Sequence, residues 1–156
     1  MSIYNSTNLD LDAAATTTQY APLGALASKE TSAGLLTYIY VENGTGAAWT
    51  VGQAVMRRAG LSTYSCTVAS TSVAPSRVVG VAQVAVPAAS FAWVLRDGVG
   101  SILADGSVTA DTSVIISAGT AGSFTDSGGV TAASLGLALA TDAGATIVAA
   151  HVHCTG

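Results

Sequence analysis

Bulky apolar residues alternate with small or polar ones along most of this chain, and charge is rare. The longest apolar run carries no charged residue from Val78 to Leu95. It approaches the roughly 20 residues that a membrane-spanning helix needs. Gly80, Gln83 and Pro87 interrupt it, however, and Phe91, Trp93 and Leu95 recur at every second position. A period of two puts those three side chains on one face of an extended strand. The run therefore reads as two strands joined by a loop over Pro87 to Ser90, and not as a span.

The same alternation marks the other elements. From Leu35 to Val41, the side chains of Leu36, Tyr38 and Tyr40 share one face, and those of Thr37, Ile39 and Val41 the other. Asn43-Gly44 then signals a turn. Gln53, Val55 and Arg57 alternate with Ala54 and Met56, and Tyr64, Cys66 and Val68 with Thr63, Ser65 and Thr67. Beyond Leu95, Arg96-Asp97-Gly98 reads as a turn and Val99 to Leu103 as a short strand closed by Ala104-Asp105-Gly106. Val108 to Ser117, Val130 to Ala140 and Thr146 to Cys154 complete the series. About nine or ten short strands with closely spaced turns predict an all-β fold, a small antiparallel β-barrel or β-sandwich.

Residues 1–33 follow neither period. Leu9, Leu11, Tyr20, Leu23 and Leu26 are scattered among Thr, Ala, Ser and Asp, and Pro22 ends any helix. This predicts an extended N-terminal arm before a single β domain over residues 34–156. Inside that domain the text repeats. Val79-Gly80-Val81-Ala82 matches Leu135-Gly136-Leu137-Ala138 at a displacement of 56 (136 − 80), and the same step lays Phe91 on Ile147 and Leu95 on His151. Thr50 to Val55 resembles Thr109 to Val114 at a displacement of 59 (109 − 50). The pattern is that of a duplicated β unit, residues 49–95 and 108–152.

Composition narrows the function. Of the 156 residues, 9% are charged and 50% hydrophobic, with a net charge of −4. Arg57-Arg58 is the one adjacent basic pair, which offers no stripe for phosphates and argues against nucleic-acid binding. So few charges leave a free monomer poorly protected from association, so much of the surface is expected to be covered in an assembly. Met1 to Asn8 has neither a basic nor an apolar signal region, so synthesis in a cytoplasm is expected, with Cys66 and Cys154 as reduced thiols.

Chemistry is sparse. His151 and His153 would point the same way from a strand and are the nearest candidates for a metal pair. A zinc site wants three or four protein ligands, and beyond Cys154 the remaining Cys or His is Cys66. No metal and no cofactor are therefore expected, although three copies around an axis would bring three histidines into a ring. Asp97 and Asp105 precede glycines, and Asp126 and Asp142 lie in or beside glycine-containing loops, which suits turn residues better than paired catalytic carboxylates. No Gly-x-Ser-x-Gly occurs, and Gly98-Val99-Gly100 lacks the third glycine of a dinucleotide site. An enzyme is not expected.

The order of four segments carries a resemblance. Val78-Val79-Gly80-Val81-Ala82, then Val99 to Gly106 with Val108 to Val114, then Leu135 to Ala140 and Thr146 to Val152, is similar to the tailed-phage head decoration, or cement, proteins. The likeness covers roughly residues 77–152, and it departs from the family's step at Thr109-Ala110-Asp111-Thr112, which has no glycine before the aspartate. It implies a non-enzymatic β protein on the virion exterior, made in the host cytoplasm, that binds the phage major capsid protein of an expanded shell and braces it. It also implies a homo-oligomer, a trimer more often than a dimer, with no part for membrane or nucleic acid. An arm of this kind can add a strand to a partner's sheet edge. Tyr4, Leu9, Leu11 and Tyr20 are the expected contacts in the arm, and Trp49 and Arg57 those elsewhere, since Trp and Arg are enriched at interfaces. A surface fibre or adhesin subunit shares the same composition and is the alternative; a carbohydrate-binding β domain is a lesser one, since it needs converging carboxylates and exposed aromatics, and Trp49 and Trp93 are the two tryptophans.

Overall fold

The structure is a computed structural model. It describes residues 10–58, 64–71, 73–128 and 134–156, and the backbone of Ile3 and Tyr4. The chain is all-β. Its strands are β1 (Ile3–Tyr4), β2 (Leu26–Thr31), β3 (Gly34–Asn43), β4 (Ala54–Arg57), β5 (Ser65–Val68), β6 (Val78–Ala82), β7 (Phe91–Leu103), β8 (Ser113–Ile116), β9 (Phe124–Asp126), β10 (Gly136–Ala138) and β11 (Ile147–His153). They form one mixed sheet in the order β1-β2-β3-β5-β4-β6-β7-β11-β10-β8-β9, and a further β3–β7 pairing closes part of it on itself.

That pairing makes a ring of β3, β5, β4, β6 and β7. Alternation decides what fills it. Ile39, Val41, Val55, Cys66, Val79, Ala92 and Val94 point inward, and Trp49 and Val86 plug the ring from the loops. All nine are between 0% and 3% exposed. The opposite faces of the same strands carry Tyr38, Tyr40, Met56, Trp93 and Leu95, which join a second apolar cluster.

A second ring repeats the first, strand for strand. Ala54 and Val55 of β4 face Val81 and Gly80 of β6, and Ser113 and Val114 of β8 face Leu137 and Gly136 of β10. Val81 and Ala82 face Leu95 and Val94 of β7, as Leu137 and Ala138 face His151 and Ala150 of β11. Arg57 faces Cys66 of β5, and Ile116 faces Phe124 of β9. The rings close alike, by the parallel pair Asn43 with Cys66 and the parallel bridge Ala104 with Phe124. The tight turns agree too. Gly52 N–H donates to Ala82 C=O at 2.7 Å with Gly52 at φ +83°, and Asp111 N–H donates to Ala138 C=O at 2.9 Å with Asp111 at φ +63°. Glycine takes that left-handed conformation freely and aspartate tolerates it.

The two rings share β7. Phe91 to Asp97 pairs with β3 and belongs to the first, and Asp97 to Leu103 pairs with β11 and belongs to the second. The strand passes through Arg96-Asp97-Gly98, where the sequence suggests a turn. Gly98 makes this possible: its φ is +116°, and a Cβ there would lie 2.6 Å from Leu36 Cδ2 and 2.9 Å from the Leu35 carbonyl oxygen. A residue with a side chain would be strained and would clash, so the chain bends at Gly98 and continues in the ladder.

The interiors show compensation. In the second ring Ile102, Val108, Val114, Phe124, Leu135, Val148 and Ala150 occupy the places of Val41, Trp49, Val55, Cys66, Val79, Ala92 and Val94, and all are 7% exposed or less. Trp49 becomes Val108 while Cys66 becomes Phe124. A large side chain is exchanged for a small one at one site and the reverse at another, which keeps the enclosed volume filled.

The arm ends earlier than residue 33. Leu26–Thr31 is β2, a hairpin partner of β3 in register from Leu26 with Ile39 to Thr31 with Gly34. The segment before it lies across the first ring: Thr16 and Phe91 exchange two main-chain hydrogen bonds, 2.9 and 2.7 Å. Segment 10–25 is thus an extended cover on the chain's own barrel.

Candidate interaction surfaces

The expected contact residues separate into distinct environments. Leu9 lies outside the described residues, as does the side chain of Tyr4, whose backbone is in β1 beside Ala27. Leu11 is 3% exposed and packs into the chain's own core. Next to it, the Asp12 carboxylate accepts a hydrogen bond from the Tyr38 hydroxyl at 2.8 Å and pairs with the Lys29 ammonium. Burial alone would raise the Asp12 pKa, but the bonds from Lys29 and Tyr38 outweigh it and hold the carboxyl below its usual range. Burial, and then the bond to Asp12, push the Tyr38 hydroxyl well up. These groups fasten the cover at one end.

Tyr20 fastens it at the other. Its ring lies 4.9 Å from that of Tyr40, which in turn lies 5.0 Å from Trp93 and 6.2 Å from Phe91. Half of Tyr20 remains exposed, so of the arm contacts inferred from sequence it is the one with accessible surface among the described side chains. Trp49 is fully buried inside the first ring and has no surface to offer a partner. Its pairing with Val86 across the ring mouth explains why: Trp49 N–H donates to Val86 C=O at 2.8 Å and Val86 N–H returns a bond at 3.0 Å. Arg57 is half-buried. Its guanidinium donates to the Tyr64 hydroxyl at 2.6 Å and stands 4.1 Å from the Tyr64 ring centre.

His151 and His153 do share one exposed face of β11, as alternation requires. His153 Nδ1 pairs with Asp97, its neighbour across the ladder. No third ligand joins them: among the described residues no group of three or more His, Cys, Asp or Glu could hold a metal ion. Cys66 and Cys154 are free and buried, and burial pushes both thiols up to about 12.

The carboxylates hold loops and turns. Asp142 caps its own turn, accepting from the Thr146 hydroxyl at 2.7 Å and from the N–H groups of Gly144, Ala145 and Thr146 at 3.0 to 3.1 Å. The Thr146 bond first, and then the main-chain bonds, pull its pKa down to about 2. Asp105 accepts from Ser107 N–H and the Ser117 hydroxyl, and Asp126 from Thr109 N–H and the Thr112 hydroxyl. Asp97 is a strand residue and not a turn residue.

Compared with family models and with curated proteins, the chain matches none. Its surface is therefore the remaining guide. Leu137, Leu139 and Ile147 are 41–45% exposed and sit side by side on β10, its extension and β11. A patch of neighbouring large apolar side chains is a mark of an interaction site. Strict alternation would put Leu135, Leu137 and Leu139 on one face. Only Leu135 turns inward to fill the second ring, in the place of Val79 in the first. A separate apolar hollow of about 280 Å³ lies between Val73, Pro75, Ile115 and Ile116.

Proposed function

We propose that this chain is a structural virion protein that binds the outside of an expanded phage capsid and stabilises it, a decoration or cement protein. The observation that carries the reading is where the resembling segments lie. Val78 to Ala82, Val99 to Val114, Leu135 to Ala140 and Thr146 to Val152 supply β6, the second half of β7, β8, β10 and β11, which are neighbours in the sheet order. The likeness thus follows one continuous piece of all-β framework. Its outer face bears the exposed Leu137, Leu139 and Ile147 on a chain with 9% charged residues. Such a face suits a lattice of repeated protein contacts, where many copies at modest individual affinity are enough.

The partner is the phage major capsid protein, and copies of this chain associate with one another, with a trimer favoured over a dimer. No helix among the described residues is long and apolar enough to cross a membrane. Co-sedimentation of the purified protein with procapsids and with expanded shells of the phage that encodes it is the test. Saturable binding to expanded shells is expected. A folded protein that binds neither shell removes the proposal and turns attention to glycan binding and fibre assembly.

A further inference from the structure

The two rings are built alike but are not covered alike. On the first, segment 10–25 lies over the outer face, its Thr16 bridging Phe91 and its Tyr20 resting on Tyr40. The equivalent positions on the second are bare: Phe91 becomes Ile147, 45% exposed, Val81 becomes Leu137, 41% exposed, and Trp93 becomes Ala149, also exposed.

The backbone is open at the same place. In the first ring Asn43 N–H donates to Ser90 C=O at 2.8 Å. In an antiparallel ladder the next pair is then not hydrogen-bonded, so the main-chain groups of Phe91 turn away from β3, and they meet Thr16. In the second ring Ala104 N–H donates to Thr146 C=O at 2.9 Å. By the same alternation the N–H and C=O of Ile147 turn away from β7, and no main-chain bond among the described residues takes them up. Exposed, unpaired strand groups beside apolar side chains form a template for an added strand.

We propose that the open backbone at Ile147, flanked by Leu137, Leu139 and Ala149, receives an extended segment of the shell subunit, in the way Phe91 receives Thr16. This rests on the decoration reading above. The internal counterpart sets the chemistry of the occupant. It is an extended stretch without charge opposite the strip, with a small or β-branched residue at the bridge and an aliphatic or aromatic side chain beyond it. The strip itself carries no charged residue; of the titratable groups beside it, His151 stands opposite Leu137, and the Asp142 carboxylate is taken up by Thr146 and the main-chain N–H groups of its own turn.

Expanded shells are mixed with wild type, Leu139→Asp and Ala149→Arg, and hydrogen exchange is followed at the Ile147 amide. Both substitutions are at exposed positions, and circular dichroism checks that the fold is kept. Binding of each variant is expected to weaken about tenfold or more, the effect of losing ~1.4 kcal/mol of contact, and the Ile147 amide gains protection on the shell. Undiminished binding of both variants with an unprotected Ile147 overturns the inference and leaves the decoration reading intact. Failure of the wild type to bind removes both. A loss of self-association in the variants, without the shell, assigns the face to a second copy and overturns the shell assignment.

Discussion

Asp97 and His153 are the same position in the two halves of the chain, 56 residues apart (153 − 97), and they stand directly opposite one another in the β7–β11 ladder. Equivalent residues that pair with each other mark a local two-fold axis. About it, the first half of β7 corresponds to β11, and the second half of β7 corresponds to β3, which lies end to end with β11 along the same side of β7. The molecule is a two-fold arrangement of rings within one chain, and β7 is the strand that both rings use.

The axial pair itself contributes little. Its side chains are 66% and 40% exposed, and surface ion pairs are worth roughly 0–1 kcal/mol. His153→Ala is therefore expected to change the urea midpoint only slightly. A large loss of stability, measured by chemical denaturation, would mean that the axis depends on this contact and not on the ladder.

Gly98 should matter far more. At φ +116° and with Leu36 Cδ2 2.6 Å from a Cβ, Gly98→Ala combines backbone strain with a clash and is expected to cost ~1–3 kcal/mol or more. Gly46 has open space around it, so Gly46→Ala is the control, with no clash to relieve. Equal stability of the two variants in a denaturant titration would show that β7 can be bent without the glycine.

Trp49 is a test of interior against interface. Truncation to alanine is expected to cost about 3–5 kcal/mol, as for other buried tryptophans. Its indole N–H finds no acceptor among the described residues, so Trp49→Phe removes a buried unsatisfied donor and should cost much less. A Trp49→Ala protein of wild-type stability that no longer binds shells would return this residue to the surface.

These residues also show what can be read from the chain without coordinates. Most strands of both rings are legible because alternation and turn residues are local, and the loop at Pro87 to Ser90 follows from proline chemistry; β9 is not, because its three residues lie in a glycine-rich stretch that reads as a loop. The repeat was visible in Val79 to Ala82 and Leu135 to Ala138. The third-dimensional partners were not. Arg96-Asp97-Gly98 has the composition of a turn, and only the approach of Leu35 and Leu36 makes it a bend inside one strand. Leu26 to Thr31 is polar and short, so its pairing with β3 depends on a tertiary contact. Trp49 has the residue type of an interface anchor and is placed inside by a loop bridge to Val86, 37 positions away (86 − 49).

The buried thiols give a chemical test of the ring interiors. Cys66 and Cys154 are 0% and 2% exposed, and their pKa values, up near 12 through burial, keep both protonated at neutral pH. Thiolate is the reactive form, so neither should react with a maleimide or a disulfide reagent in the native state. Both should react once urea unfolds the chain. Rapid native labelling of Cys66, followed by mass spectrometry, would mean that the first ring opens readily.

Asp142 supplies the acid dependence. Its folded pKa, near 2, lies below the roughly 3.9 of an unfolded aspartate. A depressed carboxyl contributes stability that is fully present above the unfolded value and is lost as pH falls towards the folded one. The wild type should therefore lose stability between about pH 4 and pH 2, beyond the loss from its other carboxylates. An amide in place of this carboxylate cannot ionise, so Asp142→Asn should be less stable at neutral pH and show a shallower decline over that window. The turn that this carboxylate organises leads directly into Thr146 and Ile147, so the variant also probes the open strand edge. If melting curves for the two proteins run parallel from pH 7 to pH 2, the carboxylate does not hold that turn.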